Sequence, residues 1–509
     1  MSEKSEPSVT AIQPRRDQDF PEWYQQVIRA ADMAENSPVR GCMIIKPWGW
    51  SIWERIRDYL DFRIKATGHE NAYFPLFLPL SYLEKEASHV EGFAKECAVV
   101  TLHRLETKNG KLVPVAPLEE PLVIRPTSET VIGEAFSRWV SSWRDLPLKI
   151  NQWANVVRWE MRPRIFLRTT EFLWQEGHTA HATEKEAWDE AKLMLEEYRK
   201  LMEDVMAMPV IIGSKSPGER FPGAVDTMSL ECMTQDRKAV QAGTSHYLGQ
   251  NFSKAFQIRF NTPDGKTEYA HTTSWGVTTR LLGAMIMVHA DDNGLCLPPK
   301  IAPYHVVIIP ILTKPEQNEA VLKAAHRLKE ELETRSFDGT PVRVHIDGRD
   351  IRAGERGWIW IKKGVPLRIE IGPRDIETDS CVVTVRDDIQ LAKRPMAQAE
   401  IVRTIEEMLS DLQERLYQRA HAFLESNIRT DITTFEQMKA FFTPKNEEKP
   451  EIHGGFVKAK WCGDKNTEEL LKEMKVTIRS IPFHQSGTEG KCIITGRPAT
   501  IDAIFAKSY

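Results

Sequence analysis

RWEMRPRIFLRTTEFLWQEGH, residues Arg158 to His178, is the stretch on which the reading of the fold turns. It reads as two strands joined by a proline-containing turn at Arg162-Pro163-Arg164. Alternate residues of a strand share a face. Counting by twos puts Arg158 and Glu160 on one face of the first strand. It puts Arg168, Thr170, Phe172, Trp174, Glu176 and His178 on one face of the second. Such a face is badly suited to an apolar core, because burying an unpaired charge costs on the order of several kcal/mol. Two readings stand at this point. One is a solvated hairpin face crossed by ion pairs; the other is the lining of a site for a ligand carrying both signs of charge.

Working outward, the bulk properties bound the answer. A chain of 509 residues is too long for one core and predicts three or four domains. A hydrophobic share of 41% with 28% charged residues describes an ordinary globular protein. The net charge of −4 advertises no global attraction to nucleic acid, so any RNA contact rests on local patches. Seven scattered cysteines, an odd number, argue for a reducing, cytoplasmic setting and against a disulfide framework. The first ten residues are polar, without the apolar core of a signal peptide. No run of roughly 18 apolar residues appears, so no membrane span is expected.

The order of elements predicts four parts: an N-terminal tail and helix over 1–37, a large mixed domain over 38–300, a small α/β domain over 301–407, and a C-terminal helix and module over 408–509. A helix over 21–35 presents Trp23, Val27 and Ala31 on one face. Ser51-Ile-Trp-Glu54 has the pattern of a capping box opening a second helix. IRPTSET, 124–130, ends a strand and starts a helix, which sets Thr127 and Glu129 near a helix N-terminus. Thr183-Glu-Lys-Glu186 is a capping box opening a long amphipathic helix. In AHTTSWGVTTRLLG, Gly276, Thr278, Arg280 and Gly283 lie where a strand gives way to a helix, and glycines there let backbone approach a flat or phosphate-bearing ligand. After Pro298-Pro299 a β-α-β pattern begins, rich in Arg343, Arg349, Arg352, Arg356, Lys362, Lys363, Arg368 and Arg374. Such a run is by default a solvated face; with Trp358 and Trp360 beside it, it also suits an RNA loop.

Three stretches in this order, NAYFPLFLP (71–79), VVRWE…FLRTTEFLWQEGH (156–178) and TTSWGVTTRLLG (272–283), resemble motifs 1, 2 and 3 of class II aminoacyl-tRNA synthetases. IRPTSET, FLWQEGH and QAGTSHYLGQNF resemble the prolyl-tRNA synthetase family, in the form shared by archaea and eukaryotes (class IIa). The resemblance implies a mixed α/β (α+β) protein: a catalytic domain on an antiparallel sheet flanked by helices, an α/β anticodon-binding domain, and a small C-terminal α+β domain. It implies a homodimer that converts L-proline and ATP to prolyl-adenylate and transfers the prolyl group to the 3′ end of tRNA(Pro), with Mg²⁺ bridging phosphates. Arg158 matches the arginine that contacts both the α-phosphate and the amino-acid carboxylate, and with Arg280 it carries catalysis. Glu160, Arg168, Thr169, Gln241, Thr244, Thr278 and Arg280 match further ATP contacts. Phe93, Thr127, Glu129, Trp174, Glu176, His178 and His246 match the proline pocket, with Thr127 and Glu129 as acceptors for the imino-acid ammonium. Arg356, Lys362, Lys363, Glu370 and Arg374 are the candidate anticodon readers.

The resemblance also sets out departures. The interval between motifs 2 and 3 holds no large editing insertion, so leakage of alanine and cysteine is expected. Thr279 stands before the motif 3 arginine where broader class II patterns put Glu. Of the four zinc cysteines in some relatives, Cys462 and Cys492 alone have counterparts, so no structural zinc is expected. The final Ser508-Tyr509 suggests a tail tucked against the catalytic domain. Two rivals are weighed. A threonyl enzyme needs a pocket cysteine for zinc, and IRPTSET offers none. A non-catalytic RNA-binding relative would not need Arg158, Arg168, Arg280 and Glu129 together.

Overall fold

Arg158 to His178 folds as the end of one strand, a long loop and a second strand. The computed structural model describes residues 11–84, 96–313, 315–446 and 452–509, so Phe93 lies outside the described residues. The first strand, Leu148–Val157, stops one residue before Arg158, and the second, Glu171–His181, begins after Thr170. Arg158, Glu160 and Arg168 are therefore loop residues, against the two-strand reading. The physical reason is local. Pro163 has no N–H to give a ladder, and Phe166 takes a left-handed φ of 62°. The loop is closed at its base by the Arg158 N–H donating to the Thr170 carbonyl at 2.8 Å.

The two strands pair antiparallel, with Gln152 opposite Glu176 and Ile150 opposite His178. On the other side of Glu171–His181 runs His271–Thr278, and beyond it Ala239–Gly249. The register makes two rows across the sheet: Gln152, Glu176, Gly276 and Thr244 in one, Ile150, His178, Ser274 and His246 in the next. Alternation sends the neighbouring residues to the opposite face. There Trp275 is fully buried, and its ring occupies the space a side chain on Gly177 would need. The helix Glu184–Lys200 covers this back face with Ala191, Met194, Leu195 and Tyr198. Its predicted capping box is present, Thr183 and Glu186 bonding reciprocally.

The second helix differs from its prediction. It runs Pro47–Ala66, with Pro47 at its first turn, so Ser51 and Glu54 are interior. Proline is pre-set for a first helical turn, which outcompetes the downstream capping signal. The first helix, Phe20–Ala30, buries Trp23 and Val27 as expected. Gly283 also corrects a reading. A side chain there would run into Leu167 and the Tyr24 hydroxyl, so this glycine permits helix packing, not ligand approach.

The central sheet does not stop at the catalytic part. Ile211–Ser214 pairs with Thr477–Pro482, and the C-terminal strands Ile501–Ala506, Phe456–Trp461 and Ile428–Arg429 follow, giving one eleven-stranded sheet. Across this seam, Arg479 joins fully buried Glu231 at 3.0 Å, and Lys215 reaches the same carboxylate at 2.5 Å. Burial opposes the Glu231 charge, but Arg479 and Lys215 outweigh it and hold the carboxyl below its ordinary range. Removing one partner of such a buried pair costs about 3–5 kcal/mol. The tail tucks in as expected: Tyr509 donates its N–H to the Ala239 carbonyl at 3.1 Å and its hydroxyl to Asp236 at 2.5 Å. A separate five-stranded sheet runs Val344–Ile346, Val306–Pro310, Leu367–Ile371, Ser380–Val385, Arg394–Ala397, parallel across its first three strands and antiparallel after. Among the described residues no helix is long and apolar enough to cross a membrane.

Candidate active site

Glu176, Gly276 and Thr244 of one row and His178, Ser274 and His246 of the next floor a cavity of about 590 Å³. The loop after Val157 brings Arg158, Glu160, Arg168 and Thr169 to its wall. The turn before the helix Glu129–Trp139 brings Thr127 and Glu129. The sheet itself supplies Trp174, Glu176, His178, Gln241, Thr244, His246 and Thr278, and the first residue of the helix Arg280–His289 supplies Arg280. The residues singled out for ATP and proline, Phe93 aside, thus line one space. Gly276 is among them, and a side chain there would press on the Gln175 carbonyl at 3.1 Å.

The cavity has a cationic wall and an acidic corner. Arg158 donates from Nε to the Pro126 carbonyl at 2.9 Å, and its guanidinium lies 5.6 Å from the Phe172 ring and 5.8 Å from the Trp174 ring. Burial lowers its pKa, against the pull of Glu129, Glu96 and Glu176. Arg280 donates from Nε to the Leu167 carbonyl at 3.2 Å. Burial, then repulsion by Arg158, Arg168 and Arg479, brings it down to about 10. Arg158, Arg168 and Arg280 gathered on one cavity lining suit a ligand that carries negative charge. In the corner, the Thr127 hydroxyl donates to Glu129 Oε2. Glu129 opens a helix, where backbone N–H groups favour negative charge.

The two histidines are held differently. His178 Nε2 meets Glu176 Oε2 at 2.9 Å. Burial disfavours its charge, but that bond and the nearby Glu176 and Glu129 carboxylates prevail and raise its pKa above the ordinary value. His246 Nδ1 meets the Thr227 hydroxyl at 3.0 Å, and burial drops it to about 4. The buried Trp174 Nε1 and Thr169 hydroxyl, both on the cavity lining, have no partner among the described residues. A ligand with acceptor atoms would satisfy them.

Several lining residues escaped the sequence reading: Glu96, Glu219, Arg220, Phe221 and Tyr509. Phe221 packs against His246 with the rings tilted by 32° and centroids 4.7 Å apart. The signal was there in Glu219-Arg220-Phe221-Pro222-Gly223, a charged and aromatic run in a turn. The anticodon set divides. Arg356 is buried and donates to the main-chain carbonyls of Pro310 at 2.8 Å and Asp347. It is an interior brace, a correction to its reading as a base contact. Lys363 lies 5.1 Å from the Trp48 ring and 5.4 Å from the Trp360 ring. Arg374 is exposed, and Lys362 and Glu370 are half-buried. In the C-terminal part, Arg497 Nη2 sits 3.3 Å from Cys462 Sγ.

Comparison with known proteins identifies the class. The family profile "tRNA synthetase class II core domain (G, H, P, S and T)" matches residues 113–289, "Anticodon binding domain" matches 305–408, and "Prolyl-tRNA synthetase, C-terminal" matches 446–509. The chain is a class II aminoacyl-tRNA synthetase. It is 64% identical over 500 residues to the proline–tRNA ligase of Protochlamydia amoebophila (98% of this chain, 99% of that one), and 56% identical over 501 residues to that of Rhodopirellula baltica (98% of each). A crystal structure of prolyl-tRNA synthetase from Cryptosporidium parvum, complexed with halofuginone and AMPPNP, superposes with a TM-score of 0.87 at 40% identity, covering 99% of this chain and 100% of that one. The chain belongs to the prolyl-tRNA synthetase family and is a proline–tRNA ligase.

Proposed function

We propose that the cavity is where proline and ATP meet. The observation that carries this reading is the convergence of Arg158, Arg168 and Arg280 opposite Glu129 in one enclosed space. Adenylate formation brings a carboxylate onto the α-phosphorus of ATP and expels pyrophosphate. Two anions must approach, so guanidinium groups offset the repulsion and hold the developing charge. The attacking carboxylate is the substrate's own, so no side chain is needed as nucleophile, and catalysis rests on positioning. Arg158 bridges the α-phosphate and the proline carboxylate. Glu160, Arg168, Thr169, Gln241, Thr244, Thr278 and Arg280 hold the nucleotide, and the AMPPNP of the Cryptosporidium parvum protein supports an adenine nucleotide as the ligand. Thr127 and Glu129 grip the ring ammonium, with Trp174, His178 and His246 around the ring. Mg²⁺ fits as an ion carried on the phosphates, since it keeps several waters and needs one or two carboxylates at most. Glu160 and Glu219 line the cavity.

ATP–pyrophosphate exchange surveyed over twenty amino acids tests this. Proline is expected to give the strongest exchange, with alanine and cysteine weaker but measurable. Strongest exchange with any other amino acid sinks the reading. The short run from Thr183 to Asp226, one capped helix and a strand, has no room for an editing domain and supports the archaeal- and eukaryote-like form.

The same chain acts as a cytoplasmic homodimer, in line with seven free thiols and an exposed apolar region. Tyr73, Phe77, Val99, Leu102, Leu105 and Leu112 are all exposed, on and beside the three-stranded sheet Phe77–Pro79, Pro117–Ile124, Ala98–Leu102. A folded monomer seldom leaves such a set in water. Light scattering is expected to read twice the 58.3 kDa chain mass, and a monomer at micromolar concentration contradicts it. Arg374, Lys362 and Glu370 are the candidates for reading the tRNA(Pro) anticodon.

A further inference from the structure

Of the carboxylates on the cavity lining, Glu129 and Glu176 belong to the proline side proposed above, and they are not equivalent. Both oxygens of Glu176 are occupied by protein. Oε1 accepts from the Ser128 hydroxyl at 2.5 Å and from Gln152 Nε2 at 2.7 Å, and Oε2 meets His178 Nε2 at 2.9 Å. Glu129 has the Thr127 hydroxyl on one oxygen. A carboxylate wrapped by three donors is a poor acceptor for a substrate ammonium.

The donors on Glu176 are themselves braced. Gln152 is fully buried, stands opposite Glu176 in the sheet register, and accepts on Oε1 from the Phe74 N–H at 2.6 Å. That bond fixes which end of the amide faces Glu176. Ser128 is fully buried and accepts a second bond from Gln152 Nε2 at 3.3 Å. Arg125, also buried, pins the segment carrying Phe74 by donating to the Phe74 carbonyl at 2.6 Å and to the Asn155 carbonyl at 2.8 Å. Neither Gln152 nor Ser128 is on the cavity lining, so their effect on any ligand passes through Glu176.

We propose that Gln152 and Ser128 are positioning residues of the proline site: they lock the Glu176 carboxylate onto the His178 imidazole, making that pair a fixed wall and leaving Glu129 as the acceptor for the substrate ammonium. This rests on the reading of the cavity as the proline pocket. His178 is faced by Glu176 on its own strand and Glu129 from the helix, with His246 two strands away in the same row and Arg158 also on the cavity lining. Of these, the locked Glu176 is the hydrogen-bonded partner, and its carboxylate favours the charged form of the buried ring.

The test uses the full chain with ¹³C-labelled histidine, the His178 resonance being the one missing from His178→Gln. In the unmodified protein His178 is expected to titrate above about 6.5. In Gln152→Met the midpoint falls by about one pH unit, because the carboxylate is no longer held in place. The KM for proline rises about tenfold, the usual effect of losing one buried hydrogen bond, while the KM for ATP stays within about twofold. Ser128→Ala shifts both readouts in the same direction with less disturbance of packing, and it serves if Gln152→Met fails to fold. An unchanged His178 midpoint in the folded variants overturns the lock. A shifted midpoint with unchanged proline KM overturns its link to substrate. The pocket reading is tested separately by amino-acid exchange and by Glu129→Gln, so the two fail independently.

Discussion

Arg158→Ala is expected to lower proline-dependent ATP–pyrophosphate exchange by about 10³-fold, with the loss mostly in kcat. The geometry explains the size. The Arg158 side chain shares the cavity with Glu129 and the other two arginines and feels the Glu129 charge, and on the proposed reading this is where the α-phosphate and the proline carboxylate meet. Burial strengthens its interaction with a charge forming in the transition state, since little water competes there. Its Nε is committed to the Pro126 carbonyl, and its face to Phe172 and Trp174, so the fork arrives pre-oriented. Lysine is expected not to rescue. A point charge on a flexible stem reproduces neither the two-pronged contact nor the stacking. Exchange rates with saturating proline and ATP decide the matter. If Arg158→Ala keeps more than about a tenth of the activity, positioning by this guanidinium is not what drives the chemistry.

How much of this was legible in the residues depends on the range of the interaction that fixes each one. The rows Glu176–Gly276–Thr244 and His178–Ser274–His246 follow from period-two alternation along strands that are regular. The same alternation, carried one residue past Val157, misplaces Arg158 and Glu160, because hydrogen-bond partners and not side-chain pattern end a strand. Gln152 gave no signal. A neutral amide in a strand looks like surface until its partner Glu176 is known. The joining of the C-terminal strands to the catalytic sheet was illegible for a stronger reason. It depends on Gly213 meeting Pro482 across two edges, and neither edge announces its partner. Arg356 shows the converse error. In a basic run it reads as an RNA contact, yet two main-chain carbonyls turn it inward. Charge in a sequence marks a need for partners, and the fold decides whether those partners are ligand or backbone.

That distinction sets the expectation for Glu129→Gln. The kcat/KM for proline should fall by about 10²- to 10³-fold, or about 3–4 kcal/mol, chiefly through KM, with the KM for ATP within about threefold. On the proposed binding mode the substrate nitrogen, a secondary ammonium with two N–H donors, faces the Glu129 carboxylate at a helix N-terminus. Glutamine keeps the shape but removes the charge. If its amide nitrogen takes the place of the oxygen facing the substrate, two donors oppose each other. Thr127 loses its carboxylate acceptor at the same time, which disorients the proposed second grip on the ammonium. The other pocket carboxylate cannot take over. Glu176 is held on both oxygens by Ser128, Gln152 and His178, and turning it toward the substrate would strip three buried donors. The double variant Glu129→Gln with Gln152→Met separates these terms. If Glu176 stays locked in the single variant and is freed in the double, the double is expected to recover part of the lost proline affinity. A Glu129→Gln protein with near-normal KM for proline would place the ammonium elsewhere in the cavity and remove the acidic corner from the mechanism.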